Sequence, residues 1–596
     1  MRRISALSTF AAIFVTISRG AVAAPPPAEA SRACFDAARS WLRDDHATSG
    51  DAAENKGKDA PLPALPEVPC SAAAVIIRLD GRPVGQAWKA GPETGLAARC
   101  LQEAWAQARA DRRIASMPPD LRDRLGDRVT LEMEFAGDPE PLVGDRLDTL
   151  ASRVDPALEA FAIRNGDRWA FAMPSLLQAR NQAPLLNYLA MGVARDAGLD
   201  PAASRDLRLP DGAAAYRAPT RRLAQASFDA EPFESWRGSR LVELASIDAP
   251  AVRRMASGVA AHLAQRWPNT EGLPPDGVAA IEALGPRSDY QPATGTWPSA
   301  ISAPAEQALA ALAMARWSRH PGLDATERDA ARAFACRTLA SLREVTAEES
   351  DPRSDAAATA CVLLAARELD APGATPDAKA WSDVRLRAWI DQLRDSLRAS
   401  GAGTTPPAGT AAAMACAALG PAADESLMRR AWDPRQPERA LQATPWIADR
   451  MPADASAAWS DALRQLIAAQ CPDGSGRGPR DAAGGWGGSA AAPRPTAASA
   501  KATLALATAL STPGLVGDAD RRAGIESLRR SLRFLRQLQA DEWACHAFRD
   551  PARAIGGIRS APWDSDEPMA ASAYALLACM ASEPLLTADG DAAKQP

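Results

Sequence analysis

Asp564, Asp566 and Glu567 stand side by side just ahead of an apolar segment of helical character. Carboxyls crowded in this way repel one another when ionised, and one that is driven to keep its proton is a candidate proton donor. The plainer role for acids at that place is electrostatic, because the exposed amides and aligned dipoles of a helix N-terminus attract negative charge. His546 adjoins Cys545 and follows Trp543, the one neighbourhood where a nucleophile and a base stand together, although adjacent side chains point different ways. Trp297, Trp486, Trp543 and Trp563 fall in loops between helical segments. Aromatic rings there either line an opening for a sugar chain, an isoprenoid or a peptide, or wedge neighbouring helices together. The other histidines read as solvated (His46), packed beside an apolar stripe (His262) and facing a helix dipole (His320). The chain has no His-Glu-x-x-His, Gly-x-Ser-x-Gly, Ser-x-x-Lys, P-loop or dinucleotide fingerprint, so hydrolase, kinase and dehydrogenase readings lose support. No cofactor and no metal are expected, because none of the nine Cys forms a Cys-x-x-Cys pair.

These groups belong to a 596-residue chain with 47% apolar and 24% charged residues, the composition of a multidomain globular protein. Arg2 and Arg3, an apolar run from Ile4 to Ile17 and the small-x-small site Ala21-Val22-Ala23 form a secretory leader over residues 1–23. Arg19 and Gly20 cut that run short of a membrane span. The mature protein is therefore expected outside the cytoplasm, periplasmic or extracellular. After leader cleavage no other stretch is expected to be long and apolar enough to cross a bilayer. The net charge of -5 becomes more negative once the leader arginines leave, which disfavours nucleic acid as a partner and leaves a small-molecule, isoprenoid or glycan ligand. Nine Cys leave at least one unpaired. Cys471 with Cys545, or Cys34 with Cys70 or Cys100, are pairings open to an exported chain.

Residues 24–69 read as a flexible segment around one short amphipathic helix bearing Phe35, Trp41 and Leu42. Residues 70–230 read as a mixed α/β unit. Val75 to Leu79, a turn at Asp80-Gly81, and Val84 to Trp88 make a hairpin. A helix through Leu96, Leu101 and Trp105 follows, then a period-two strand from Val129 to Phe135 and a second hairpin about Asn165-Gly166-Asp167. A helix from Ser175 to about Ala197, kinked near Pro184, follows it. The Leu79-Asp80-Gly81-Arg82 turn, the Gly137-Asp138-Pro139-Glu140-Pro141-Leu142 segment and Ala162-Ile163-Arg164-Asn165-Gly166-Asp167-Arg168-Trp169 together resemble a degenerate AMMECR family domain. The resemblance implies fold alone, because Arg82-Pro83-Val84-Gly85-Gln86 replaces that family's Arg-Gly-Cys-Ile-Gly element.

Residues 235–590 carry helices in pairs, one amphipathic and one apolar nearly all round. Six pairs emerge: 248–266 with 303–318, 326–344 with 354–368, 380–399 with 408–419, 424–431 with 437–449, 455–470 with 494–512, and 519–539 with 567–583. Alanine-dense helices permit close axis approach round a small circle, which favours an (α/α)6 toroid over an open solenoid. Two long loops, from Gln470 to Gly488 and from Gln539 to Asp564, repeat one plan. Ile467-x-x-Gln470-x-x-Asp473-Gly474 followed by Gly484-Gly485-Trp486 resembles the repeat of the terpenoid cyclase and protein prenyltransferase superfamily, in which loop Gln and Trp tie helix pairs together. The zinc set of prenyltransferases is missing, since no Cys has Asp two positions before it. The resemblance implies either a ligand-binding or cryptic member or a class II cyclase-like enzyme, in which Asp564 and Asp566 protonate an alkene or epoxide. Helical toroids also serve carbohydrate-active enzymes, but the acid-plus-Tyr set these need is thinly supplied, with Tyr290 alone in a suitable loop.

Overall fold

A computed structural model describes residues 24–44, 62–182, 186–200, 208–268, 277, 285–344, 352–370, 384–401, 409–423, 425–432, 443–450, 455–472, 479–487 and 494–592. The expected leader, His46, the kink at Pro184 and the Asp473-Gly474 turn lie outside the described residues.

The N-terminal unit comprises α1 (Ala28–Asp44), β1 (Ala72–Leu79), β2 (Arg82–Ala90), α2 (Leu96–Ala110), β3 (Val129–Ala136), β4 (Glu140–Pro141), β5 (Glu159–Asn165), β6 (Arg168–Ala172), α3 (Pro174–Ala179), α4 (Leu186–Asp196), β7 (Ala213–Ala224) and β8 (Phe233–Glu234). Its antiparallel strands run in the order β2-β1-β3-β7-β5-β6, with β4 and β8 pairing β7. β1 is buried along its whole length because both faces are covered, as its run of six apolar residues from Ala72 to Ile77 requires. Val75, Ile77 and Leu79 pack with α1 and α2, whereas Ala74 and Ile76 meet Phe171, Met173 and Leu176 on the other side. The short N-terminal helix docks here: Cys34, Phe35, Ala38 and Leu42 join the β1/β3 core, and a buried Phe or Leu contributes about 1.5–3 kcal/mol.

Two features depart from expectation. β7 carries no strong strand signal, being rich in Ala and Arg and interrupted by Pro219, yet it is central. Its first part pairs β5 and its last part pairs β3, and Pro219 falls where the chain changes partner, a place where a missing amide is tolerated. β3 alternates as expected, with Leu131, Met133 and Phe135 in the core. Its polar side is not in water, however: Glu132 and Glu134 are each 1% exposed, the first facing His546 of the helical half and the second Ser175 and Thr220 of the N-terminal unit.

The C-terminal half is helical: α5 (Ala249–Ala264), α6 (Pro304–Trp317), α7 (Ala325–Glu344), α8 (Ala356–Asp370), α9 (Val384–Gly401), α10 (Thr410–Leu419), α11 (Glu425–Ala431), α12 (Ala455–Ala469), α13 (Ser499–Ser511), α14 (Asp518–Leu538) and α15 (Met569–Ala592). Every residue from Gln307 to Ala315 of α6 is buried, as an all-round apolar helix requires. The small-residue helices pack side to side: α8 lies between α10 and α6, and α15 between α6 and α13, with α5, α7, α9 and α14 on their flanks. The second helix of the fourth pair is described only over its last part, where Ala443, Trp446 and Ile447 are buried.

One expectation needs correcting. Met569–Thr587 is long and apolar enough to span a bilayer, with mean hydropathy 1.4. Its composition follows from its place: it is covered by α5, α6, α13 and α14, and 67% of it is buried. The expected thiol pairings are not formed either, since all nine Cys are free. Burial pushes the Cys34, Cys70 and Cys100 thiols up to about 12, with Cys70 adding repulsion at both of the others.

Candidate functional site

The loop between α14 and α15 repeats the plan of the loop between α12 and α13. Gln470 donates to the Gly484 carbonyl at 2.8 Å and to Ser527 of α14 at 3.0 Å. Gln539 donates to the Gly556 carbonyl at 3.3 Å and to Met255 of α5 at 2.9 Å. Each amide closes its own loop and holds the next outer helix. Trp486, 6% exposed, donates its indole N–H to Leu466 O at 2.8 Å, so it packs helices together and lines no opening.

The three clustered acids do not converge. Asp564 turns back and accepts the Asp566 amide at 3.1 Å. Asp566 accepts Asn181 Nδ2 at 3.0 Å and Gln291 Nε2 at 3.2 Å, joining the helical half to the N-terminal unit. Glu567 exchanges backbone hydrogen bonds with Tyr290 and turns its fully buried side chain inward, against Gly557 and 3.6 Å from His262 Nε2. Asp564 is spent on its own turn, Asp566 on Asn181 and Gln291, and Glu567 on the interior, which is why sequence proximity misleads here. Asp564, Asp566 and Glu567 line none of the four cavities described below.

Burial raises the pKa of all three, and that of Glu567 far above the carboxylate range despite Arg266 and Arg559 nearby. Both its carboxyl oxygens lack a hydrogen-bond partner among the described residues. Arg266 is itself lowered to about 10 by burial. It donates to His262 Nε2 at 3.0 Å and to the Glu567 carbonyl at 2.6 Å, while His262 Nδ1–H donates to Arg553 O at 3.1 Å. His262 is thus neutral and held by packing, as expected.

Burial favours the protonated form of Glu567 in the folded protein, whereas in the unfolded chain it ionises above about pH 4.3. Its stabilisation is complete below that value and is lost as pH rises through the raised folded pKa. Glu567→Gln keeps the neutral shape and is expected to stabilise by about 1–3 kcal/mol at pH 8 and by little at pH 4. Urea unfolding at the two pH values checks this, and an equal effect at both would contradict a protonated Glu567.

The remaining predicted residues gather where the two halves meet. Trp563 packs on the N-terminal core and stacks over Arg237 at 5.3 Å. Trp543 meets Phe233 edge-on at 5.0 Å and borders two recesses of about 440 and 480 Å³. Trp297 stacks on Tyr290 at 4.7 Å, between Arg266 and Arg287. His546, buried, donates from Nδ1 to Trp543 O at 2.5 Å and turns Nε2 toward Glu132 of β3 at 3.8 Å. Burial lowers its pKa and raises that of the Cys545 thiol, so both shifts favour a thiol beside a neutral imidazole and work against a thiolate.

Glu132 is a residue that sequence reasoning passes over. Its carboxylate lies 2.5 Å from Arg222 Nε of β7 and 3.3 Å from Arg78 Nη2 of β1. Burial would raise its pKa, but Arg222 and Arg78 outweigh that and hold it far below the carboxylate range. Glu134, with Ser175 N and Thr220 Oγ1 each at 2.8 Å, is raised by burial instead. The only signal was two acids alternating with apolar residues in a strand.

Beside this network a cleft of about 950 Å³ opens between the β1–β2 turn and residues 542–555 of the helical half. Arg82, Arg128, Arg549 and Arg553 line it with Asp80, Glu542 and Asp550, over a floor that includes Phe228, Cys545 and His546. Asp550 is occupied by Arg553 at 3.0 Å, whereas Arg82 and Arg128 make no ion pair among the described residues. Gly81 (φ +72°) makes the cleft's edge possible, since a Cβ there would run into the Phe548 carbonyl. Among the described residues no group of three or more His, Cys, Asp or Glu is placed to hold a metal ion.

No family model matches the chain, and no curated protein matches it. Among solved structures, an uncharacterized protein from Pyrococcus horikoshii is similar over 35% of this chain and 97% of its own length, at 15% identity and a TM-score of 0.24, too slight a likeness to bear on function.

Proposed function

We propose that this is an exported binding protein whose helix pairs close into an (α/α)6 toroid, capped at its loop end by the N-terminal unit, and that the cleft between the two takes a small anionic ligand. The observation that carries the reading is that cleft: both halves contribute walls, arginines outnumber acids, and no catalytic pair faces it. Ring closure is supported by the sixth pair lying against the first, with Gln539 bonded to α5 and α15 packed on α5 and α6. In an open solenoid the terminal pairs stand far apart. The AMMECR resemblance is retained as a proposal for the fold of the cap.

The ligand is a phosphorylated isoprenoid or an acidic oligosaccharide, bound without a cofactor. A cyclase reading needs a protonated carboxyl facing an apolar cavity. Glu567 supplies the proton, but Gly557 seals it. Thermal-shift and calorimetric titration with prenyl phosphates and uronic-acid oligosaccharides test the proposal. Arg82→Ala and Arg128→Ala are each expected to weaken binding about 10- to 100-fold, the loss of one charge-assisted contact. Absence of a shift with either class, or affinity unchanged by both substitutions, would overturn it.

A further inference from the structure

A further, small cavity lies at the same junction, with room for about 30 Å³. Arg222, Arg237 and Arg559 all line it, each at most 3% exposed. Arg559 is satisfied, donating to the carbonyls of Gln537 at 2.7 Å, Arg237 at 3.2 Å, and Leu538 and Pro562 at 3.3 Å. The other two are satisfied only in part: Arg222 Nη1 donates to Gln178 Oε1 and its Nε faces Glu132. Nη2 of Arg222 and Nε, Nη1 and Nη2 of Arg237 have no hydrogen-bond partner among the described residues.

The carboxylates nearby do not balance these cations. Glu132 is shared between Arg78 and Arg222, and Asp155 between Arg237 and Arg494. Asp481 faces Arg237 Nε at 3.5 Å, outside the short range of a charge-assisted hydrogen bond. Four arginines thus meet three carboxylates, with Arg559 beside them. Buried charged donors left without acceptors are costly, and a structure retains them where something accepts their protons.

The backbone adds an independent sign. Arg237 and Gly238 form the two central residues of a tight turn in which Trp236 and Ser239 exchange backbone hydrogen bonds at 2.7 and 3.1 Å. Both have positive φ, +49° and +86°. The first such position favours Asn, Asp or Gly, so an arginine there is strained. The guanidinium carbon lies over the Trp563 ring, 5.3 Å from its centroid, and both side chains line the cavity.

We infer that this cavity is an internal binding site for one small inorganic anion of halide size, clamped between Arg222 of the N-terminal unit and Arg237 of the connecting turn. A water molecule needs roughly 10–15 Å³ by the same measure, so the space takes a single chloride or bromide and excludes phosphate esters and organic acids. The anion accepts the orphaned N–H groups and ties β7 to the 559–565 loop. The site is distinct from the open cleft, whose lining shares none of these arginines.

The test uses the whole protein. Melting is followed while chloride or bromide replaces gluconate at constant ionic strength. A saturable rise in Tm of roughly 2 °C or more is expected. Crystals grown in sodium bromide are expected to show an anomalous peak within about 3.5 Å of Arg222 Nη2 and Arg237. Arg237→Asn, which suits the turn, is expected to abolish the halide dependence. Water alone in the cavity of bromide-grown crystals, or a halide response that Arg237→Asn leaves intact, would overturn the inference. Should that variant fail to fold, the bromide map of the unaltered protein decides alone.

Discussion

Replacing Glu132 by Gln is expected to destabilise the protein by about 3–5 kcal/mol at pH 7, more than any change on the open surface. The carboxylate is fully buried between Arg78 and Arg222, and the substitution leaves two guanidiniums in the interior with a neutral amide between them. Glu132 also faces His546, so the cost falls on the junction of the halves as well as on the sheet. Because its folded pKa is depressed, its stabilisation is complete above the unfolded value of about 4.3 and is lost as pH falls below that. Equilibrium urea unfolding of both proteins between pH 3 and 7 measures this. The difference should shrink on acidification; a penalty under about 1 kcal/mol at pH 7 would show that water compensates the arginines.

The second large effect is expected at Gly556. Its φ of +91° disfavours any side chain, and a Cβ there would collide with the backbone carbonyl of Gly258 in α5. Gly556→Ala is expected to cost about 3 kcal/mol, from the strained backbone together with the separation of the loop from α5. Gly258→Ala is a milder control, since the nearest atom it meets is the side-chain amide of Gln539. Hydrogen exchange supplies the second readout: Gly556→Ala should raise exchange in α5 as well as in α14, because it parts the first helix pair from the last. An effect confined to the loop would weigh against the closed ring.

Much of the scaffold was legible in local pattern. The hairpin about Asp80-Gly81, the alternation of β3 and the all-round apolar α6, α8 and α15 follow from periods of 2 and 3.6, which a single segment displays by itself. The repeated role of Gln470 and Gln539 was legible too, because in both copies the glutamine ends an outer helix and a Gly-Gly pair follows 14 or 17 residues later. β7 was not, since alanine and arginine carry little strand preference and its place is set by partners on both sides. The interior charge network was equally hidden. Arg78, Glu132, Arg222 and His546 come from four separated segments, and no spacing rule connects a strand acid to a histidine more than four hundred residues later. The Asp564 cluster erred in the opposite sense: neighbours in the chain were read as one group, and each acid is taken up by a different set of partners.

β7 comes last of the long strands in the chain and yet lies in the middle of the sheet. Until Ala213 to Ala224 has left the ribosome, β1–β3 and β5–β6 are two half-sheets with bare hydrogen-bonding rims and nothing to join them. A nascent chain of this kind stays unclosed for its first two hundred residues, the condition in which a chaperone must shield it from its siblings.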